Sequence, residues 1–113
     1  MLRKVECIIQ PFKLEEVKVA LKEIAVEGMT VTEVKGCGKQ RGYKDEEGKS
    51  RPFKLLPKVK LEIVTDEEKV EELIRTIQRF AYTGHIGDGK IFVYPVEDAI
   101  RIRTRERGGI AIK

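Results

Sequence analysis

Twice along this chain the hydrophobic period switches from two to about 3.6 and back to two, and this doubled pattern restricts the available folds more than composition does. Val5, Cys7 and Ile9 alternate along a first strand, mostly apolar on both faces, until Pro11 ends it. Leu14, Val17, Leu21 and Ile24, with Ala20 on the same stripe, predict an amphipathic helix over about residues 14–25, with Gly28 just beyond its stop. Residues 30–35 are β-rich and alternating, which marks a second strand. A third runs from about residue 53, past Pro57, to 64, with Val59, Leu61 and Ile63 pointing one way and Lys58, Lys60 and Glu62 the other. Asp66, Glu67 and Glu68 form the acidic first turn of a second helix, striped by Val70, Leu73, Ile74, Ile77 and Phe80 and running to about residue 81. Residues 90–95 form a fourth strand, followed by a short helical turn over 96–100.

Strand, helix, strand, repeated once, is an α+β pattern and fits a ferredoxin-like double β-α-β sandwich, a sheet backed by two helices. The 113 residues suffice for one domain spanning 1–113. With 41% hydrophobic and 37% charged residues, the chain has material for a core beneath a heavily charged surface. Its apolar runs are only a few residues long, far below the roughly 20 of a membrane span, and its first residues lack a secretory pattern, so a cytoplasmic location is expected. Cys7 and Cys37 are expected to be free thiols. Asn is absent and Lys, Arg and Glu dominate, a usage that resembles heat-adapted proteins.

Since this fold carries many unrelated activities, function must be sought in particular residues. The net charge of +4 is too small to announce a nucleic-acid protein. One Ser (Ser50) and one His (His85), with no plausible partners nearby in sequence, make a Ser-His-Asp constellation improbable. From Gly36 to Lys54 the apolar pattern vanishes for 19 residues that include four glycines, six basic and three acidic residues. So long a loop in so small a domain is either an insertion without structure or a functional arm.

Two motifs point to anions. Gly87-Asp88-Gly89-Lys90 places two glycines and a lysine at a strand entrance, where backbone N–H groups can approach an oxyanion; an ordinary Asp-Gly turn with a solvated lysine is the alternative. Residues 100–107, if extended, set Arg101, Arg103, Arg105 and Arg107 on one side and Ile100 and Ile102 on the other, as an anion clamp or a basic tail. Gln40, at the entrance to the long loop, and Lys58, at its exit, also stand out, although a lysine on an edge strand is commonly solvated.

The stretches at 4–14, 28–36, 56–60, 83–92 and 100–104 resemble the P-II nitrogen-regulatory signal proteins over nearly the whole chain outside the loop. The resemblance implies a homotrimer with nucleotide sites in the clefts between subunits, where ATP and ADP compete. Gly28, Thr30, Gly38, Lys39, Gln40 and Val64 would line one side, and Gly87, Asp88, Gly89 and Lys90, with Arg101 and Arg103 from a neighbouring subunit, would hold the phosphates. It implies that 2-oxoglutarate binds beside ATP through a shared Mg²⁺ with Gln40 as metal ligand, using Gln40, Lys58 and backbone near Gly42 and Gly87.

Residues 37–54 correspond to that family's T-loop, which docks on targets such as ammonium transporters or glutamine synthetase regulators, and residues 101–113 form a C-terminal segment. The loop departs from the family: Tyr43 comes too early for the usual modified tyrosine, and Ser50 aligns too loosely for assignment. The implied function is a non-enzymatic regulator of nitrogen assimilation, without nucleic acid as partner and reaching a membrane only through a transporter. The competing readings are a sensor of carbon status that binds bicarbonate or a cyclic nucleotide, and a small phosphohydrolase on the same fold. An RNA-binding module would need paired stacking aromatics on a central strand.

Overall fold

The computed structural model describes residues 1–37 and 54–113. The strands are β1 (Leu2–Ile9), β2 (Thr30–Gly36), β3 (Leu56–Asp66) and β4 (Lys90–Val96), and the helices are α1 (Leu14–Glu23) and α2 (Val70–Ala81). They form the expected α+β architecture, an antiparallel sheet in the order β2-β3-β1-β4. Each β-α-β half leaves a gap one strand wide, and the other half's first strand fills it. The two halves therefore interlock, and both long central strands are shared between them.

Val5, Cys7 and Ile9 on β1 and Val59, Leu61 and Ile63 on β3 turn to the helical face. There they meet Val17 and Leu21 of α1 and Val70, Leu73, Ile77 and Ala81 of α2. Leu21, Leu61 and Leu73 are wholly buried, each a removal of apolar surface worth roughly 1.5–3 kcal/mol. The other sheet face carries Lys4, Glu6, Lys60, Glu62, Phe92 and Tyr94 by the same alternation, with no element of the described chain packed over Phe92 and Tyr94, which stay exposed. The other face of β1 is mixed: Leu2 and Ile8 flank Lys4 and Glu6, and Lys4 lies between Glu62 at 3.1 Å and Glu6 at 3.6 Å.

Helix α1 ends earlier than its stripe suggests, and Gly28 is not its stop. Ala25 takes a left-handed conformation (φ 67°), with Val26 N–H donating to Leu21 O and Ala25 N–H to Lys22 O. These two bonds close a Schellman end whose left-handed position is filled by alanine instead of glycine. The Lys69 ammonium caps the same end by donating to Ile24 O.

Two further expectations fail at the C-terminal side. Residues 97–99 are not helical, because the Asp98 carboxylate accepts from Ala99 N–H, Gly108 N–H and Arg107, offering the backbone a competing partner. Residues 100–107 do not run extended: Ile100 and Arg107 form a single antiparallel bridge, Arg105 N–H donates to Arg101 O, and Arg105 has φ 66°. The turn disperses the four arginines, and Ile102, expected to anchor the clamp, is 95% exposed.

Candidate functional site

The polypeptide between α2 and β4 is closed by one side chain. Asp88 accepts from Thr83 N–H at 2.8 Å, from Gly84 N–H at 2.9 Å and from the Thr83 hydroxyl. Those bonds, the Thr83 hydroxyl foremost, hold the carboxyl below the usual aspartate range. An ionised carboxylate repels phosphate, so Asp88 acts as the staple of the turn, and anion contact falls to the backbone beside it. Gly87 (φ 107°) and Gly89 (φ 103°) both lie in the left-handed half of conformational space. At Gly89 the requirement is absolute, because a Cβ would stand 1.6 Å from Ile8 O.

Lys58 completes this end of the sheet. β3 is central, not an edge, and Lys58 is 7% exposed, which removes the alternative of a solvated edge lysine. Its ammonium donates to Gln10 Oε1 at 3.1 Å and to Gly87 O at 3.0 Å. Burial pushes its pKa below that of an ordinary lysine, while the charge of Asp88 partly opposes the shift. A desolvated cation therefore sits where the end of β1, the start of β3 and the glycine turn converge. Gly36 pairs with Leu56 beside it, so the long loop leaves and re-enters the sheet here. Gly38, Lys39, Gln40 and Gly42, with Tyr43, Ser50 and most of the 37–54 loop, lie outside the described residues.

Gly28, Thr30 and Val64 gather elsewhere. Together with Lys4, Glu62 and Ile112 they line a cleft of about 800 Å³. Val64 pairs with Lys4 and Lys90 with Ile8 on opposite sides of β1, so the two are offset by four residues, roughly 13 Å, along the strand and by two strands across the sheet. Of the residues expected on that side of the site, Gly28, Thr30 and Val64 gather at this cleft, whereas Gly38, Lys39 and Gln40 lie outside the described residues. Thr30 and Gly36 stand at opposite ends of β2, and the loop leaves from the Gly36 end.

Arg101 is bound to its own segment, with Glu106 at 2.6 Å, Ile110 O at 2.9 Å and Lys113 O also accepting. Arg103 is exposed on the intervening turn. Near the cleft, Lys4 lies 4.7 Å from the centre of the Tyr94 ring, and Tyr94 donates its hydroxyl to Glu6 at 3.1 Å. The bond to Glu62 above all raises the Lys4 pKa, and the bond to Glu6 raises that of Tyr94.

Gln10 and Thr83 are the polar partners that sequence reading passes over. Thr83 carries a faint local signal, a hydroxyl five residues before an Asp-Gly pair, whereas Gln10 reaches Lys58 across 48 positions. Among the described residues no group of three or more His, Cys, Asp or Glu is placed to hold a metal ion, and no helix is long and apolar enough to cross a membrane. The buried Lys58 ammonium beside a glycine turn is chemistry that suits a carboxylate or phosphate.

The sequence profile of the family described as "Nitrogen regulatory protein P-II" matches residues 2–106. The chain is 56% identical over 112 residues to the Nitrogen regulatory protein P-II of Rhodospirillum rubrum, covering 98% of this chain and 100% of that one. It is 50% identical to Nitrogen regulatory protein P-II 1 of Escherichia coli with the same coverage. The solved structure of Arabidopsis thaliana PII bound to citrate superposes with a TM-score of 0.81 at 44% identity, covering 97% of this chain and 91% of that one.

Proposed function

The chain belongs to the P-II family of nitrogen regulatory signal proteins, which act on target proteins, and from that premise we propose that it binds ATP or ADP together with 2-oxoglutarate and reports both through its long loop. The observation that carries this reading is Lys58. A buried ammonium at the root of the loop, against the Gly87 carbonyl, suits a ligand carboxylate, whose charge offsets the cost of keeping the cation out of water. The Arabidopsis relative's citrate is a carboxylate ligand of the same chemical kind.

The nucleotide site in this reading is built by two subunits of a homotrimer. One chain offers the cleft of Gly28, Thr30 and Val64 with Arg101 and Arg103; its neighbour offers Gly87, Gly89 and Lys90 on the turn that Asp88 staples, with Gly38, Lys39 and Gln40 of the loop. The separation of Val64 from the glycine turn within one chain supports a shared site, as does the sheet face at Phe92 and Tyr94 that no element among the described residues covers. Arg101 exchanges Glu106 for phosphate when nucleotide enters. In this reading Gln40 would be the protein ligand of an Mg²⁺ that supplies charge neutralisation for ATP and 2-oxoglutarate, and Gln40, Lys58 and backbone near Gly42 and Gly87 would hold the effector. Differential contacts at the loop's base select among loop conformations that accept or refuse a partner, such as an ammonium transporter or a glutamine synthetase regulator. The role is non-enzymatic: both Asp88 oxygens are engaged by Thr83 and Gly84, which leaves that carboxylate poorly placed to activate a water.

Calorimetry with ATP or ADP and Mg²⁺, with and without 2-oxoglutarate, on protein of measured mass tests the proposal. Lys58→Ala is expected to abolish the tightening of ATP binding by 2-oxoglutarate while leaving ADP affinity unchanged. A monomer without nucleotide affinity, or intact coupling in the variant, would refute it.

A further inference from the structure

Lys58 does not hold its position unaided. Its ammonium is shared between a backbone carbonyl, Gly87 O, and a side-chain amide, Gln10 Oε1. Gln10 is well placed for that task. It lies at the junction of β1 and the turn Pro11–Lys13, with extended backbone (φ −69°, ψ 137°), the conformation that a following proline imposes. Its own carbonyl accepts from Lys13 N–H at 3.0 Å, which pins the residue from the other side. The main chain of Gln10 is thereby held, and its amide oxygen accepts from the Lys58 ammonium at 3.1 Å.

We propose that Gln10 is the positioning residue of the effector site, holding the Lys58 ammonium against Gly87 so that it meets a ligand carboxylate already oriented. The inference rests on the 2-oxoglutarate reading for its ligand, but the contact is a property of the protein alone. A neutral amide suits the role. It orients the cation and stabilises its charged form without neutralising it. Burial disfavours the ammonium, the charge of Asp88 favours it from the turn, and Gln10 contacts it from the end of β1.

Gln10→Leu removes the acceptor at similar size, and Gln10→Glu keeps an acceptor but makes it anionic. NMR titration of the Lys58 side-chain signals is expected to place its pKa below the parent's in Gln10→Leu and above it in Gln10→Glu, because hydrogen bonding and opposite charge both favour the ammonium. A merely structural disturbance would move both variants in one direction. By calorimetry on ATP- and Mg²⁺-loaded protein, 2-oxoglutarate should bind about ten-fold more weakly to Gln10→Leu, the scale of one lost hydrogen bond to a charged group. It should also weaken in Gln10→Glu, where the new carboxylate competes for the lysine. ADP affinity should stay within about two-fold in both, since Lys58 is assigned to the effector and not to the nucleotide. Unmoved lysine titration in both variants, or effector affinity unchanged in Gln10→Leu, overturns the proposal. If the parent protein binds no 2-oxoglutarate, the effector reading falls, and the lysine titration decides whether Gln10 holds Lys58.

Discussion

Replacing Gly89 by alanine would place a methyl carbon 1.6 Å from Ile8 O and 2.8 Å from Ile8 C, both backbone atoms of β1. Carbon and carbonyl oxygen approach only to roughly 3.3 Å, so the chain entering β4 would have to retreat by roughly 1.7 Å. β1 cannot yield, because it is paired on both sides, with β3 and with β4. The retreat therefore falls on the Ile8–Lys90 pairing. Holding a non-glycine residue at φ 103° adds roughly 1–3 kcal/mol, and loosened strand hydrogen bonds add about 1 kcal/mol each. The expected loss is about 3–5 kcal/mol, a fall in melting temperature of roughly 12–20 °C for a domain of this size. Two other glycines separate the contributions. Gly108→Ala meets open space but keeps φ 74°, and should cost about 1–2 kcal/mol. Gly28→Ala meets nothing within 4 Å and carries no such backbone demand, so it should stay within about 0.5 kcal/mol. Thermal unfolding followed by circular dichroism at one fixed protein concentration ranks the three. A melting temperature for Gly89→Ala within roughly 3 °C of the parent would refute the close-approach argument.

Other outcomes follow from the same geometry. Ala25→Gly relieves the left-handed end of α1 and should stabilise the fold by about 0.5–1 kcal/mol, read as a shifted denaturant midpoint. Burial pushes the Cys7 thiol up to about 11 from 9.0, so the unfolded chain loses this proton first as pH rises. Stability from Cys7 is intact below about pH 9 and declines towards 11, and Cys7→Ala should flatten that alkaline slope relative to the parent. Asp88 has the opposite sign, its carboxyl held below the ordinary 3.8 by Thr83 foremost; its stabilisation is present above that value and lost as pH falls through the native pKa. Thr83→Val should raise the Asp88 titration measured by carboxyl NMR, and an unmoved titration would remove Thr83 as the cause.

Much of the fold was legible because side-chain period reports which face an element buries. Val5, Cys7, Ile9 and Val59, Leu61, Ile63 had to turn to one side of a sheet, and the stripes of α1 and α2 had to cover it. The same rule misled at residues 100–107, where alternating Ile and Arg reads as a strand but Asp98, Glu106 and the left-handed Arg105 close a turn. Alternation states what a strand would bury, and here no neighbouring strand extends the pairing beyond a single bridge.

The site was legible only in its parts. Glycines beside Asp88 and Lys90, and a lysine on β3, are visible in one dimension because each signal is local. Whether Lys58 is solvated depends on β3 lying between β2 and β1, and on Gln10 and Gly87 arriving from 48 and 29 positions away. Four strands, two helices, the buried faces of the central strands and the family are readable in one dimension, since period and motif are properties of neighbouring residues. Strand order and register, which set distances between residues far apart in the chain, are what make Lys58 a buried cation at the root of the loop and put Val64 four residues of β1 along the sheet, and two strands across it, from the glycine turn.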